Sequence, residues 1–283
     1  MAESLDDLQK FVGNNQTAED VITASQVGRL AVALDVDHPA PNKGDPVPPG
    51  WHSVFFPPLV PLARLREDGQ PTGGGVAPPV PLPRRRLLGV RGAYNDALRV
   101  GDDVTKITEV SSITIDDRGA GPVVTVTVRE TVSTNRGTAV IDERDVLYFG
   151  EDGPGGTDEP PSLPETAAWT RTYEANPVMI FRLSAVRFNS HRIHYDRDYT
   201  TGTEGYPGLV VPVTLVSFLM MEMCRAEAPD TPLSAFSYQS EKPVFDLGPY
   251  TISGAPDGDR VQMWTTDYEG ALAVTANATL AKR

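Results

Sequence analysis

The residues best equipped for chemistry lie between Phe181 and Asp196, in the stretch FRLSAVRFNSHRIHYD. It holds two of the chain's four histidines, His191 and His194, together with Asn189, Arg192, Tyr195 and Asp196. Imidazole is the side chain whose ordinary pKa lies nearest neutrality, so this grouping suits proton transfer. Just downstream, EGYPGLVVP at 204–212 leads into a long apolar run, which predicts a buried helix over Leu209 to Met221. The N-terminus of such a helix carries partial positive charge, and its N–H groups near Gly208 or Val213 can hold a developing oxyanion. Removing one oxyanion donor typically raises a barrier by about 3 kcal/mol. Two other readings of the histidines stay open. They are two partly buried polar residues at a strand edge, or an H-x-x-H metal set completed by Asp196 and Asp198, although no second ligand cluster lies elsewhere in the chain.

The same block resembles the MaoC-like hot-dog hydratases and dehydratases. The similarity is to the branch of mesaconyl-CoA and itaconyl-CoA hydratases and mitochondrial-type 3-hydroxyacyl-thioester dehydratases. Ser184, Ala185, Phe188, Asn189, His191, Arg192, Ile193, His194, Tyr195, Asp196 and then Glu204 to Val211 match that branch's pattern without a gap. The match ends where the family continues with a Gly-Pro-Leu helix start and this chain has Val213-Thr214-Leu215. The resemblance implies reversible hydration of a 2-enoyl thioester to a 3-hydroxyacyl thioester, the acyl group being mesaconyl-type or otherwise short or branched. It places His194 as the catalytic acid/base. Asn189 stands where many MaoC-like enzymes carry an aspartate, and an amide can only position water or imidazole. His191 is then a hydrogen-bonding support for the loop, and Asp196 a candidate to orient an imidazole. No metal or redox cofactor is implied, because the thioester itself acidifies the α-carbon.

Substrate-binding candidates are Tyr195, Arg192, Tyr206, Trp51 in a PPGWHSVFF segment, and the run Arg84, Arg85, Arg86 after a proline-rich loop. Guanidinium forks suit the phosphates of a CoA group; a solvated basic turn and ordinary core packing are the alternative readings of the arginines and of Trp51. Two rival functions on the same fold remain: an acyl-thioester-binding subunit without catalysis, which Val213-Thr214 favours, and a thioesterase. Thioesterases of this fold place a carboxylate in the helix, and here the only acid, Glu222, lies at its far end.

Composition bounds the rest. With 283 residues and 40% hydrophobic content the chain is long enough for two globular domains. A net charge of −13 argues against nucleic acid as a partner. One cysteine, Cys224, precludes an internal disulfide and suits a reducing, cytoplasmic setting. No signal or membrane-spanning segment is expected, since the apolar run contains Pro212 and stops at Glu222. The expected partner is an acyl-CoA, with acyl-carrier protein as a substitute, and a homodimer of two-hot-dog units is compatible with the sequence.

Two similar halves flank a Pro/Gly-rich joint at Gly150 to Pro164. The expectation is an α+β double hot-dog, with antiparallel sheets each wrapped around a central helix. Residues 1–150 form a degenerate half for substrate and CoA binding, 151–165 a linker, and 166–283 the catalytic half. Thr17 and Asp20 suggest a capping box leading into a helix over Val21 to Leu34. Pro39 to Pro83 reads as a long loop lining the substrate. Strands are expected at Val124 to Val128, Val146 to Phe149, Ala235 to Phe245, Tyr250 to Ser253, Val261 to Thr266 and Leu272 to Leu280. Leu34 to Pro39 is a faint first-half echo of the histidine motif.

Overall fold

The computed structural model describes residues 4–37, 40–73, 75–117, 119–153, 155 and 163–281. In chain order, β1 covers Asn15–Val21, α1 Ala24–Ala33, β2 Arg84–Tyr94, β3 Asp103–Asp117, β4 Pro122–Thr134 and β5 Gly137–Phe149. The second half runs through β6 Trp169–Tyr173, α2 Pro177–Val186, α3 Arg197–Gly202, β7 Val210–Val211, α4 Val213–Glu227, β8 Leu233–Ser240, β9 Val244–Phe245, β10 Tyr250–Asp257, β11 Arg260–Thr266 and β12 Leu272–Leu280.

Among the described residues, ten of these strands form one antiparallel sheet in the order β1-β3-β4-β5-β2-β8-β12-β11-β10-β6. Five come from each half, and they meet edge to edge where β2 pairs β8, Val90 lying opposite Tyr238. The joining of halves hides an edge that each five-stranded sheet would otherwise expose. Period-two patterning is visible in β12, where Val274, Ala276, Ala278 and Leu280 are buried while Asn277 faces out.

Helix α4 packs against the sheet at β8 and β12. Every residue from Leu215 to Cys224 is buried, which explains why the helix has no polar stripe. Its start differs from the sequence-based expectation. Leu209 to Pro212 is not helical: Val210 and Val211 pair with Phe245 and Val244 as a short strand. Pro212 is the N-cap, and a residue preceding proline is sterically steered away from helical backbone.

A second correction concerns α1. Thr17 and Asp20 are not a cap but lie in β1, opposite Ile107 and Val104 of β3. Pairing across strands satisfies their backbone and overrides the local motif. The helix begins later, with the Thr23 hydroxyl accepting from the Gln26 N–H at 3.3 Å.

The two halves share a local design that repeats after 153 residues (23 to 176, 34 to 187, 35 to 188). Thr23 caps α1 and Asn176 caps α2, both helices are ten residues long, and both end on αR caps, Leu34 and Arg187. Each is followed by a non-glycine residue at positive φ, Asp35 at 55° and Phe188 at 53°. After α2 comes the histidine motif; after α1 comes the faint echo, whose His38 and Pro39 lie outside the described residues. The 40–73 stretch contains only short 3-10 turns at Trp51–Val54 and Leu62–Arg64, as its prolines demand.

Candidate active site

The positive-φ turn at Phe188 lets the chain reverse immediately after α2. The turn is locked by the Asn189 N–H donating to the Ser184 carbonyl at 2.8 Å. Such a conformation costs a bulky residue of order 1 kcal/mol or more, and so marks a position held by its surroundings. Asn189 Oδ1 then accepts from the His191 N–H at 3.2 Å, which closes the loop on itself.

His194 lies in a 3-10 turn over Arg192–His194 and is 9% exposed. Its Nδ1 is 2.8 Å from the carbonyl oxygen of Val210. A carbonyl can only accept, so Nδ1 carries the proton and Nε2 presents a lone pair. Burial lowers the His194 pKa to about 4, only partly offset by that hydrogen bond. At neutral pH the ring is therefore uncharged and able to take up a proton.

His191 has the opposite tautomer. Its Nδ1 lies 2.8 Å from Nε2 of Gln70. Gln70 is oriented in turn by Arg85, whose guanidinium donates to Gln70 Oε1. Arginine has only donors, so the Gln70 oxygen faces Arg85 and its NH2 faces His191. His191 Nδ1 must accept, which leaves its Nε2 bearing the proton. The two rings meet edge to face with centroids 5.5 Å apart. One thus offers a lone pair and the other an N–H, a complementary pair for moving a proton onto and off a bound molecule. Burial lowers the pKa of His191 too.

The long proline-rich loop builds one wall of this arrangement. Asp68 and Glu67 carbonyls accept from the Arg192 N–H and guanidinium, at 2.9 and 3.2 Å. Ser190 Oγ donates to the Gly69 carbonyl at 2.5 Å. Gly69, at φ +83°, lies so close that an added Cβ would stand 2.0 Å from the Ser190 carbonyl oxygen. Gln70 carried no sequence signal of its own; its partners are 15 and 121 residues away in the chain.

Asp196 caps α3 through the Tyr199 N–H at 3.0 Å and pairs with Arg192 at 2.8 Å. The Tyr199 N–H and then Arg192 hold its carboxyl below the usual range. Its hydrogen bonds thus run to the loop frame and α3. Arg192 also lies over the Tyr199 ring, 3.9 Å from its centroid. Tyr195 is half exposed and donates to the Ser190 carbonyl at 3.1 Å. Tyr206 packs on Phe245 with ring centroids 5.7 Å apart.

Val213 is the first residue of α4, where N–H groups have no intrahelical partner. Gly208 lies five residues earlier, with an added Cβ only 2.7 Å from Asp246 Oδ1. Asp246 in turn accepts from the Leu209 N–H at 2.8 Å and pairs with Arg197. That bond fixes the backbone from which the Val210 carbonyl reaches His194.

Trp51 is fully buried and donates to Glu222 Oε1 at 2.9 Å. Glu222 also pairs with Arg225, and Glu227, the last residue of α4, pairs with Arg171, so both acids of α4 are bound to donors rather than available as a base. Arg84 pairs with Glu151 at 2.6 Å and Arg86 is exposed. Of the three arginines it is Arg85 that the fold links to His191. Cys224 is buried, and burial pushes its thiol up to about 12. Among the described residues no three His, Cys, Asp or Glu side chains converge to hold a metal, and no helix is long and apolar enough to cross a membrane.

Known proteins with this architecture define its class. A MaoC-like dehydratase superposes with a TM-score of 0.72 at 14% identity, covering 98% of this chain and all of that one. A MaoC-like dehydratase of Phytophthora capsici gives 0.69 at 13% identity, covering 99% of this chain and 100% of that one. A Mycobacterium tuberculosis protein described as a double hotdog gives 0.55 at 13% identity, over 98% of each chain. The fold is an α+β double hot-dog of the MaoC-like type.

Sequence comparison is more specific. Residues 50–246 match the family model of hydroxyacyl-thioester dehydratase type 2. The chain is 36% identical to mesaconyl-C(4)-CoA hydratase of Chloroflexus aurantiacus over 97% of its own length and 98% of that protein's. It is 26% identical to the mitochondrial hydroxyacyl-thioester dehydratase type 2 of Schizosaccharomyces pombe, over 90% and 92%. The chain belongs to the hydroxyacyl-thioester dehydratase type 2 family, enzymes of the hydratase and dehydratase class.

Proposed function

We propose that the protein reversibly hydrates a short or branched 2-enoyl-CoA, of the mesaconyl type, to the 3-hydroxyacyl-CoA, with His194 as acid and base. The observation that carries this reading is the Nδ1–H bond of His194 to Val210, which leaves a neutral, desolvated Nε2 facing away from the backbone. In hydration, Nε2 takes a proton from water as its oxygen attacks the β-carbon. Electrons move onto the thioester oxygen as an enolate, and the same proton is then returned to the α-carbon. Dehydration is the reverse. The enolate is held by N–H groups at the start of α4, from Val213 onward. Gly208 supports the preceding turn.

Asn189 and the N–H-bearing His191 position the water and the imidazole, and Asp196 acts through Arg192 to hold the loop. Tyr195, Arg192 and Tyr206 border the acyl and pantetheine path. Arg84, Arg85 and Arg86 face the CoA phosphates, Arg85 also holding Gln70, and Trp51 supports the wall. Residues 1–150 serve as the degenerate binding half and 166–283 as the catalytic half. The repeated helix-and-turn design supports that division, because only its second copy continues into N-x-H-R-I-H. No cofactor is required, since the thioester acidifies the α-carbon.

The test is loss of the conjugated enoyl absorbance when the protein is mixed with a panel of enoyl-CoA esters. Turnover of at least one ester without release of free thiol supports the hydratase. Binding without turnover identifies a non-catalytic acyl-thioester subunit, and thiol release a thioesterase.

A further inference from the structure

The inner face of the first-half strands carries an unusual amount of charge. Asp142 and Glu130 lie opposite one another on β5 and β4, and the buried ring of His52 sits 2.7 Å from Asp142. Glu130 is shared by Arg144 at 2.6 Å and Lys106 at 3.4 Å. Each carboxylate of the patch thereby has a polar partner within the patch.

Arg187 is the cation left over. It caps the C-terminus of α2, two residues before Asn189, and is partly buried. Among the described residues its guanidinium has no carboxylate within 4 Å; its hydrogen bond is from Nη1 to the hydroxyl of Ser53, at 3.0 Å. The phenol of Tyr238, Arg144, Glu130 and Asp142 all lie close enough to act on it electrostatically. Arg187 in turn acts on His194. Desolvation lowers its pKa, so the charged group is held in a low-dielectric setting, although the residue as a whole is only partly buried. A charge placed that way without a carboxylate costs stability. At the equivalent position of the first half the fold uses Leu34, an apolar side chain that is 2% exposed.

We propose that Arg187, with the Ser53 hydroxyl, is an anion subsite that receives a carboxylate on the acyl group, so that the preferred substrate is an enoyl thioester of a dicarboxylic acid. This rests on the hydratase reading above and deepens it. The planar fork of guanidinium matches a carboxylate with two parallel hydrogen bonds. One donor is already committed to Ser53, which fixes the plane of the fork beside the histidine loop. Bound there, the distal carboxylate sets the register of the double bond against His194.

The experiment measures kcat/KM of wild type, Arg187→Met and Arg187→Lys with mesaconyl-C(4)-CoA, which carries a free carboxylate, and crotonyl-CoA, which does not. Wild type is expected to prefer the charged ester. Arg187→Met is expected to lower that preference on the order of 100-fold, chiefly through KM, as truncating one partner of a desolvated charge pair does. Arg187→Lys, which keeps the charge but not the fork, should fall between and guards against a folding defect in the methionine variant. Equal loss on both esters, or a wild type that prefers crotonyl-CoA, overturns the subsite while leaving the hydratase standing. A wild type that hydrates neither ester overturns the subsite, and the wider ester panel then decides the hydratase reading separately.

Discussion

His194 and Val210 are joined through Nδ1–H and a backbone carbonyl at 2.8 Å, three residues before α4 begins. The contact ties the proposed acid/base to the same strand-and-proline segment that leads into the helix N-terminus. Any shift of Val210 therefore moves both the proposed proton carrier and the N–H groups proposed to hold the enolate. Asp246 holds that segment from the other side through the Leu209 N–H.

A first consequence concerns pH. A base must be unprotonated, and burial lowers the pKa of His194 from 6.5 to about 4. The acid limb of kcat/KM should therefore fall well below pH 6, toward 4, in a buffered series from pH 4 to 8. A midpoint at the ordinary histidine value of 6.5 would mean that another group controls activity.

The same shift has a stability sign. The unfolded chain protonates this ring at about 6.5 and the native chain only near 4. Between those values the unfolded state binds the extra proton, so stability drops as pH falls through the window, by up to about 3 kcal/mol from this one group. In urea unfolding, His194→Gln should show a shallower loss between pH 6.5 and 4.5 than wild type.

Gln70 sets the His191 tautomer from the far side of the loop. Gln70→Ala removes the donor and should lower kcat about tenfold, with a smaller change in KM from the loss of Arg85's partner. Gln70→Glu replaces the NH2 with an acceptor. It should favour a protonated His191 and raise its pKa, visible by NMR titration of the imidazole. An unchanged titration would show that the bridge does not govern the ring.

Gly69 must remain glycine, both for its φ of +83° and for its distance from Ser190. Gly69→Ala forces the 64–73 loop away from the histidine loop. We expect a destabilisation of about 1–3 kcal/mol and a loss of activity larger than the stability change explains at saturating substrate.

Much of this was readable in the residues. The double hot-dog class, the buried helix and the grouping of the histidines were written in the apolar run and in the close spacing of N, H, R and H between 189 and 194. β12 could be read from its alternation of Val274, Ala276, Ala278 and Leu280 with Thr275, Asn277 and Thr279. Three things were hidden, each decided by partners remote in sequence. Thr17 to Asp20 looked like a cap and became a strand, because β3 lies beside it. The start of α4 moved to Val213, because β9 draws Val210 and Val211 into a strand. Gln70 and Arg187 had no motif to announce them, since their meaning comes from His191 in one case and from an unmatched charge in the other.

Trp51 ties the first-half loop to α4. It is fully buried and holds Glu222, so Trp51→Ala should cost about 3–5 kcal/mol through cavity formation, more if Glu222 loses its donor. Chemical denaturation measures it directly.

The central claim is that His194 Nε2 carries the proton in hydration. The most direct measurement is single-turnover loss of enoyl absorbance with the best ester of the panel, wild type beside His194→Ala and His194→Gln. The account predicts that both variants still bind the ester but slow the chemical step by about 100- to 10,000-fold. A His194→Ala protein that turns over at a rate near wild type would contradict it and move the acid/base role to His191.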